Sequence, residues 1–261
     1  PPPPPPPPFF FHAEARIRDA QESRGLGDVY KRQIVNSIFG LAVDDKGKFK
    51  FNNPNPEYTL SDMAKDAVAL LEILNIKKAH IIGASMGGMI TQILALDHPD
   101  KVLTITPIMT SPGMQNDSLS GPTEELLEAY KKSFVHNVRG RIEDGVVEIY
   151  RQLTGSRFPF DEQKFRDKLK PVISHGNNPF ALHVDAVGAS PDRTTRLHEI
   201  KVPALIIHGT EDINVDIQHA EKAFKEIPNS KLYIVEGGDH YMSFSHSNEI
   251  EKELSNFISQ E

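Results

Sequence analysis

The chain has 261 residues, a mass of 29.1 kDa and a formal net charge of −7 with a pI near 5.9, a balance that argues against nucleic-acid binding and against attraction to an anionic membrane surface. Hydrophobic residues make up 38% and charged residues 25%, enough for a globular core and incompatible with a wholly disordered chain. There is no cysteine, which excludes a disulfide framework, a thiolate zinc site and a cysteine nucleophile, and no apolar run approaches the roughly 18 residues of a membrane span.

The chain opens on eight prolines and three phenylalanines, and continues to residue 33 with no strand alternation and no convincing apolar face. A polyproline II arm is one reading of this stretch; a signal peptide fits poorly, lacking a basic start and a long apolar segment. The run RDAQESRGLGDVYKRQ resembles translated sequencing-adaptor read-through of the kind fused to broken reading frames. Residues 1–33 are therefore set apart as a foreign or disordered arm.

Residues 59–75 are predicted helical, with Met63, Ala67, Leu70, Leu71 and Leu74 on one face and Thr59 with Asp62 placed as an N-cap pair. Residues 79–82 form a short apolar run read as a buried strand. Residues 86–96 are apolar nearly all round, as in a helix buried in a domain, and residues 102–108 alternate like a strand. From residue 112 to about 198 strands give way to helices near 123–138, 141–153 and 161–174, separated by Gly and Pro. Strand–helix–strand then resumes at 203–208, 216–226 and 231–235, followed by a last helix carrying Ile250, Leu254, Phe257 and Ile258 on one face.

This order predicts an α/β fold, a mostly parallel sheet covered by helices on both sides. Residues 34–112 form the first part of its core, 113–198 a helical lid over the sheet edge, and 199–261 the second part of the core. Phe134, Phe158, Phe160, Phe165 and Phe180 lie in that insertion; they either pack it internally or line an apolar pocket that Met86 and Met114 flank.

The strongest chemical signal is IIGASMGGM, residues 81–89, where G-x-S-x-G follows a strand and precedes a helix. A serine there must occupy a sharp, strained turn, with Gly83 and Gly87 making room for it. Gly88 is expected to let the helix pack closely on the strand. A phosphate-binding turn would instead show G-x-x-x-x-G-K-[ST] or G-x-G-x-x-G, and neither is present. The nucleophile needs a base and a group to orient it. GTED, residues 209–212, places a carboxylate after the strand PALIIH, and EGGDH, residues 236–240, places an imidazole after the next strand. The order Ser85, Asp212, His240 results. Glu211 and Asp216 compete with Asp212, the latter as a helix N-cap, and His246 competes with His240; His208 falls inside a strand.

These residues resemble the α/β-hydrolase superfamily over residues 34–261. The stretches YTLSDMAKDAVALLEILNI, AHIIGASMGGMITQILALDHPDKV, ASPDRTTRLHEIKVPALIIHGTED and VEGGDH look most like its methyl-esterase branch, typified by aclacinomycin methylesterase. The resemblance implies a cofactor-free, metal-free serine hydrolase using Ser85, Asp212 and His240, with the Met86 N–H in the oxyanion hole and a small-molecule ester as substrate. A receptor or scaffold on the same fold is the alternative. A cytoplasmic location is expected. Two departures stand out: no His-Gly loop occurs early in the chain to supply a second oxyanion donor, and IVNSIFGLA, residues 34–42, matches the usual D-N-R-D-x-G-x-S run only at Asn36 and Gly40. Both point to an N-terminal truncation of about 45–50 residues, roughly three strands, a helix and their connections, with impaired catalysis as its consequence.

Overall fold

The computed structural model describes residues 42–43, 49–50, 55–174 and 180–260; the readings of the arm at 1–33 and of the departures up to residue 41 lie outside them. A two-stranded antiparallel pair, β1 (Ala42–Val43) and β2 (Phe49–Lys50), precedes the main body. Four further runs rich in Ile, Leu, Val and Ala build one parallel sheet in the order β3 (Ala79–Ala84), β4 (Val102–Ile108), β5 (Ala204–Gly209) and β6 (Ser230–Val235).

Each strand returns through helices, as parallel pairing requires. These are α1 (Leu60–Ile73) and α2 (Met86–Asp97), then α3 (Glu124–Val138), α4 (Ile142–Leu153), α5 (Glu162–Ser174) and α6 (Phe180–Gly188). After β5 come α7 (Gln218–Glu226) and, beyond β6, α8 (Met242–Ser245) and α9 (Ser247–Ile258). The chain thus has the expected α/β architecture.

The two faces of the sheet show why its strands read as apolar runs. Along β5, Ala204 and Ile206 face a core with Leu60, Ala64, Met89, Ile93, Ala220 and Ala223 of α1, α2 and α7. Leu205 and Ile207 face a second core with Met242, Ile250, Leu254 and Phe257 of α8 and α9. A strand covered on both sides has no polar face to alternate with. The expected alternation of β4 fails for that reason: only Leu103 is exposed.

Helix α1 begins at a capping box in which Thr59 Oγ1 accepts from the Asp62 N–H at 3.2 Å and Asp62 Oδ2 accepts from the Thr59 N–H at 3.0 Å. Its buried residues are Leu60, Ala64, Ala67 and Leu71. Leu74, expected on that face, is 49% exposed: it is the C-cap residue, at the end of the helix where neighbouring Ile73 is exposed as well.

Between β4 and β5 the chain holds helices only, among the described residues. Helix α6 was not expected; nine residues are too few to display a 3.6-residue period. Arg166 ties α5 to α4 through Glu143 at 2.9 Å and Asp144 at 3.0 Å. A buried Arg193 guanidinium donates to Gln92 Oε1 at 3.2 Å, Ser190 Oγ at 2.9 Å, and the carbonyls of Pro191 and Ser111 at 3.2 and 3.1 Å. It joins the end of the helical insertion to α2 and to the loop after β4. No helix among the described residues is long and apolar enough to cross a membrane.

Candidate active site

The parallel register brings the ends of the strands level. Ala84 lies opposite Ile108, Ile108 opposite Ile207, and Gly209 opposite Val235. The loops that follow, carrying Ser85, Asp212 and His240, therefore open at one carboxyl edge, where sheets of this kind hold their sites.

Ser85 stands between β3 and α2 with φ 52° and ψ −118°, a left-handed conformation costly for a residue with a Cβ. It is held there from both sides. Its N–H donates to the Ile108 carbonyl at 2.9 Å, and its carbonyl accepts from Thr110 Oγ1 at 2.6 Å and from the Gly88 N–H at 2.9 Å. Met86 opens α2, so its N–H is outside the helix's own ladder and lies at the positive end of the helix dipole.

The two glycines of the motif have different status. A Cβ on Gly83 would fall 2.2 Å from the Gly87 carbonyl oxygen, whereas a Cβ on Gly87 would meet nothing within 4 Å. The steric demand assigned to both from the sequence belongs to Gly83 alone. Gly88 is also needed, but its close neighbour is the Thr110 side chain beyond β4, at 2.6 Å, rather than the preceding strand. Gly83→Ala is accordingly expected to lower stability by about 1–3 kcal/mol or more. Gly87→Ala should be neutral or stabilising by up to ~1 kcal/mol, as for other glycines replaced in a helix. Urea unfolding midpoints of the two variants check the contrast.

The three expected residues meet in one relay. Ser85 Oγ lies 2.9 Å from His240 Nε2, and His240 Nδ1 lies 2.8 Å from Asp212 Oδ2. The Asp212 side chain is fully buried. Its other oxygen accepts from the Asn214 and Val215 N–H groups, both at 2.9 Å. Burial by itself would push the Asp212 carboxyl up, but the adjacent His240, its hydrogen bond, His208 and the Val215 N–H outweigh that and hold it below its ordinary value. A carboxylate can only accept, so the His240 proton sits on Nδ1 and the Nε2 lone pair faces Ser85.

The competitors are occupied elsewhere. Glu211 accepts from the N–H and hydroxyl of Ser156, both at 2.6 Å; the hydroxyl first, then the N–H, hold its carboxyl low. Asp216 accepts from the Gln218 N–H at 2.9 Å, a role at the start of α7. His246 pairs with Ser245 Oγ at 2.8 Å and lies edge-on to Phe158, with ring centroids 4.7 Å apart.

Three residues of this neighbourhood were not anticipated. His208 is buried, donates Nε2–H to the Val215 carbonyl at 2.7 Å and lies 3.5 Å from Asp212 Oδ2; burial pushes its pKa down. Asn214 Nδ2 lies 3.1 Å from His240 Nε2. Asp239 accepts from the Gly155 N–H at 2.6 Å, although burial pushes its carboxyl up. Gly155 and Ser156 of the α4–α5 loop thus rest on the residues that immediately precede His240 and Asp212.

Phe160 and Phe165 meet with tilted rings at 5.4 Å, Tyr150 meets Phe165 at 4.7 Å, and Tyr150 meets Tyr241, next to His240, at 5.6 Å. These aromatics pack the insertion and join it to the histidine loop; the side chains of Phe134 and Phe180 lie outside the described residues. Among the described residues, no three His, Asp or Glu side chains are arranged to hold a metal ion.

A strained serine on the strand–helix elbow after β3, level with an acid loop after β5 and a histidine loop after β6, defines a class. Residues 34–247 match the alpha/beta hydrolase fold family, and the chain belongs to it. It is a hydrolase. Rhodomycin D methylesterase DauP of Streptomyces sp. (strain C5) is 28% identical over 206 residues, covering 70% of this chain and 67% of that protein. The 2-hydroxymuconate semialdehyde hydrolase of Pseudomonas putida is 24% identical over 238 residues, covering 88% and 78%. Among solved structures, a carboxylesterase of the thaumarchaeon Nitrososphaera gargenis superposes with a TM-score of 0.60 at 25% identity, covering 77% of this chain and 72% of that one. The expected likeness to methyl esterases is thus found.

Proposed function

We propose that the chain is a serine hydrolase that cleaves carboxylic esters of small apolar molecules through an acyl-enzyme. The observation that carries this reading is the unbroken line from Ser85 Oγ through His240 to Asp212, at 2.9 and 2.8 Å. In this mechanism His240 Nε2 takes the Ser85 proton as Oγ bonds to the ester carbon, and the carbonyl electron pair moves onto oxygen. The Met86 N–H, at the N-terminus of α2, donates to that oxyanion. The bond to the leaving oxygen then breaks, and the leaving oxygen takes the proton from Nε2. Water repeats the sequence on the acyl-enzyme and releases the acid.

Residues 113–198 serve as the lid. The Tyr150, Phe160, Phe165 and Tyr241 cluster puts aromatic side chains in the insertion and beside His240, which supports apolar substrates. The strained backbone at Ser85 weighs against a receptor or scaffold, which has no need of a costly serine conformation. The likeness to a methylesterase and to a semialdehyde hydrolase supports a hydrolytic reaction. The test is covalent labelling with a fluorophosphonate followed by peptide mass mapping. An adduct on Ser85, absent from Ser85→Ala, is expected; an unlabelled Ser85 in folded protein overturns the proposal.

A further inference from the structure

Asn214 is bonded to the one atom through which the proposed proton transfers pass. Its Nδ2 lies 3.1 Å from His240 Nε2, which also faces Ser85 Oγ at 2.9 Å. With the His240 proton held on Nδ1 by Asp212, Nε2 presents a single in-plane lone pair to two donors, the Ser85 hydroxyl and the Asn214 amide. The nitrogen of the amide, rather than its oxygen, must face the ring in the resting site, because two acceptors would otherwise oppose each other. Asn214 stays in place because its own N–H is anchored on Asp212 Oδ1 at 2.9 Å and its neighbour Val215 is anchored on the same oxygen.

We infer that Asn214 is a catalytic residue that donates a hydrogen bond to the leaving-group oxygen of the ester; this rests on the serine-hydrolase reading above. Once Nε2 has taken the Ser85 proton it is itself a donor, and it cannot accept from Asn214. The amide N–H then loses its partner at the moment when the leaving oxygen, which must come within about 3 Å of Nε2 to collect its proton, enters the same space. As the C–O bond breaks, its electron pair goes to that oxygen; the Nε2 proton follows, and the Asn214 N–H bridges the developing charge until the transfer is complete. Ser85 keeps its bond to the acyl carbon, and no further reactant is needed. Donation of this kind matters most for a basic, poorly leaving alkoxide and least for a leaving group already stable as an anion. It therefore assigns the substrate class more narrowly: esters of ordinary aliphatic alcohols, methyl esters included.

The experiment compares ethyl and p-nitrophenyl esters of one acid, chosen as the acyl chain that the unsubstituted 261-residue chain turns over fastest. Both esters give the same acyl-enzyme, so kcat/KM isolates the acylation step. Asn214→Leu keeps the shape of the side chain and removes the donor. It should lower kcat/KM on both esters, and the ratio of p-nitrophenyl to ethyl activity should rise about tenfold or more, the scale of a hydrogen bond to a charged oxygen. Asn214→Ala, which leaves this half-buried position open, should raise the ratio in the same direction if the leucine variant does not fold. An unchanged ratio in a folded variant overturns the inference and leaves the ester-hydrolase reading standing. A wild-type chain that cleaves no ester of either series overturns both.

Discussion

Replacing Ser85 by alanine is expected to lower kcat on the best ester by on the order of 10⁶, the loss seen when the nucleophile of such a relay is removed. The size follows from what remains. His240 and Asp212 stay 2.8 Å apart, but Nε2 has no hydroxyl to deprotonate, and residual turnover depends on binding and the oxyanion donor alone. The fold should not suffer. Alanine at φ 52° and ψ −118° bears the same backbone strain as serine, so its Tm should stay within a few degrees of wild type. Ser85→Gly should match or exceed the wild-type Tm: glycine relieves strain worth about 1–3 kcal/mol and gives back about 0.5–1 kcal/mol in unfolded-chain entropy. Steady-state kinetics and thermal melts of the two variants measure both halves. Ser85→Ala protein with more than a hundredth of the wild-type kcat would remove Ser85 from the mechanism.

The residues that proved legible in the sequence share one property: their environment is set by their immediate neighbours. G-x-S-x-G between a strand and a helix defines the elbow locally, and a short parallel strand ends where its apolar run ends, which places Asp212 and His240 in loops at a common edge. The capping box at Thr59 and Asp62 is local in the same way. What escaped notice depends on contacts across long stretches of chain. Asn214 reaches His240 over 26 residues, and Arg193 reaches Gln92 over 101. His208 reads as an ordinary strand residue because nothing nearby in sequence shows that its ring turns toward the acid loop. The open space at Gly87 and the exposure of Leu74 are likewise settled by packing, which spacing alone does not report. The same holds for the seat of the α4–α5 loop on Glu211 and Asp239: a carboxylate beside a triad residue looks, in sequence, like a rival for its role.

That rivalry is resolved by the second large effect. Asp212→Asn should cut kcat by about 10⁴ while leaving the fold intact, and the hydrogen bonds around the carboxylate say why. Asp212 Oδ1 accepts from two backbone N–H groups at 2.9 Å. In the asparagine variant only the amide oxygen can occupy that position, so the amide nitrogen is forced toward His240. An N–H facing Nδ1 requires Nδ1 to be unprotonated, and the ring proton moves to Nε2. Nε2 then donates to Ser85 Oγ instead of accepting its proton, and general-base catalysis stops. Glu211→Gln meets a different situation. Its partner is Ser156 in the α4–α5 loop, and the amide oxygen of glutamine can still accept one of the two bonds, so a loss of no more than about tenfold is expected, the scale of one hydrogen bond. Kinetics of both variants on one ester decide the assignment. Greater damage from Glu211→Gln than from Asp212→Asn would transfer the role of the acid to Glu211 and contradict the 2.8 Å contact to His240; a loss confined to Asp212→Asn would tie turnover to the proton on Nδ1.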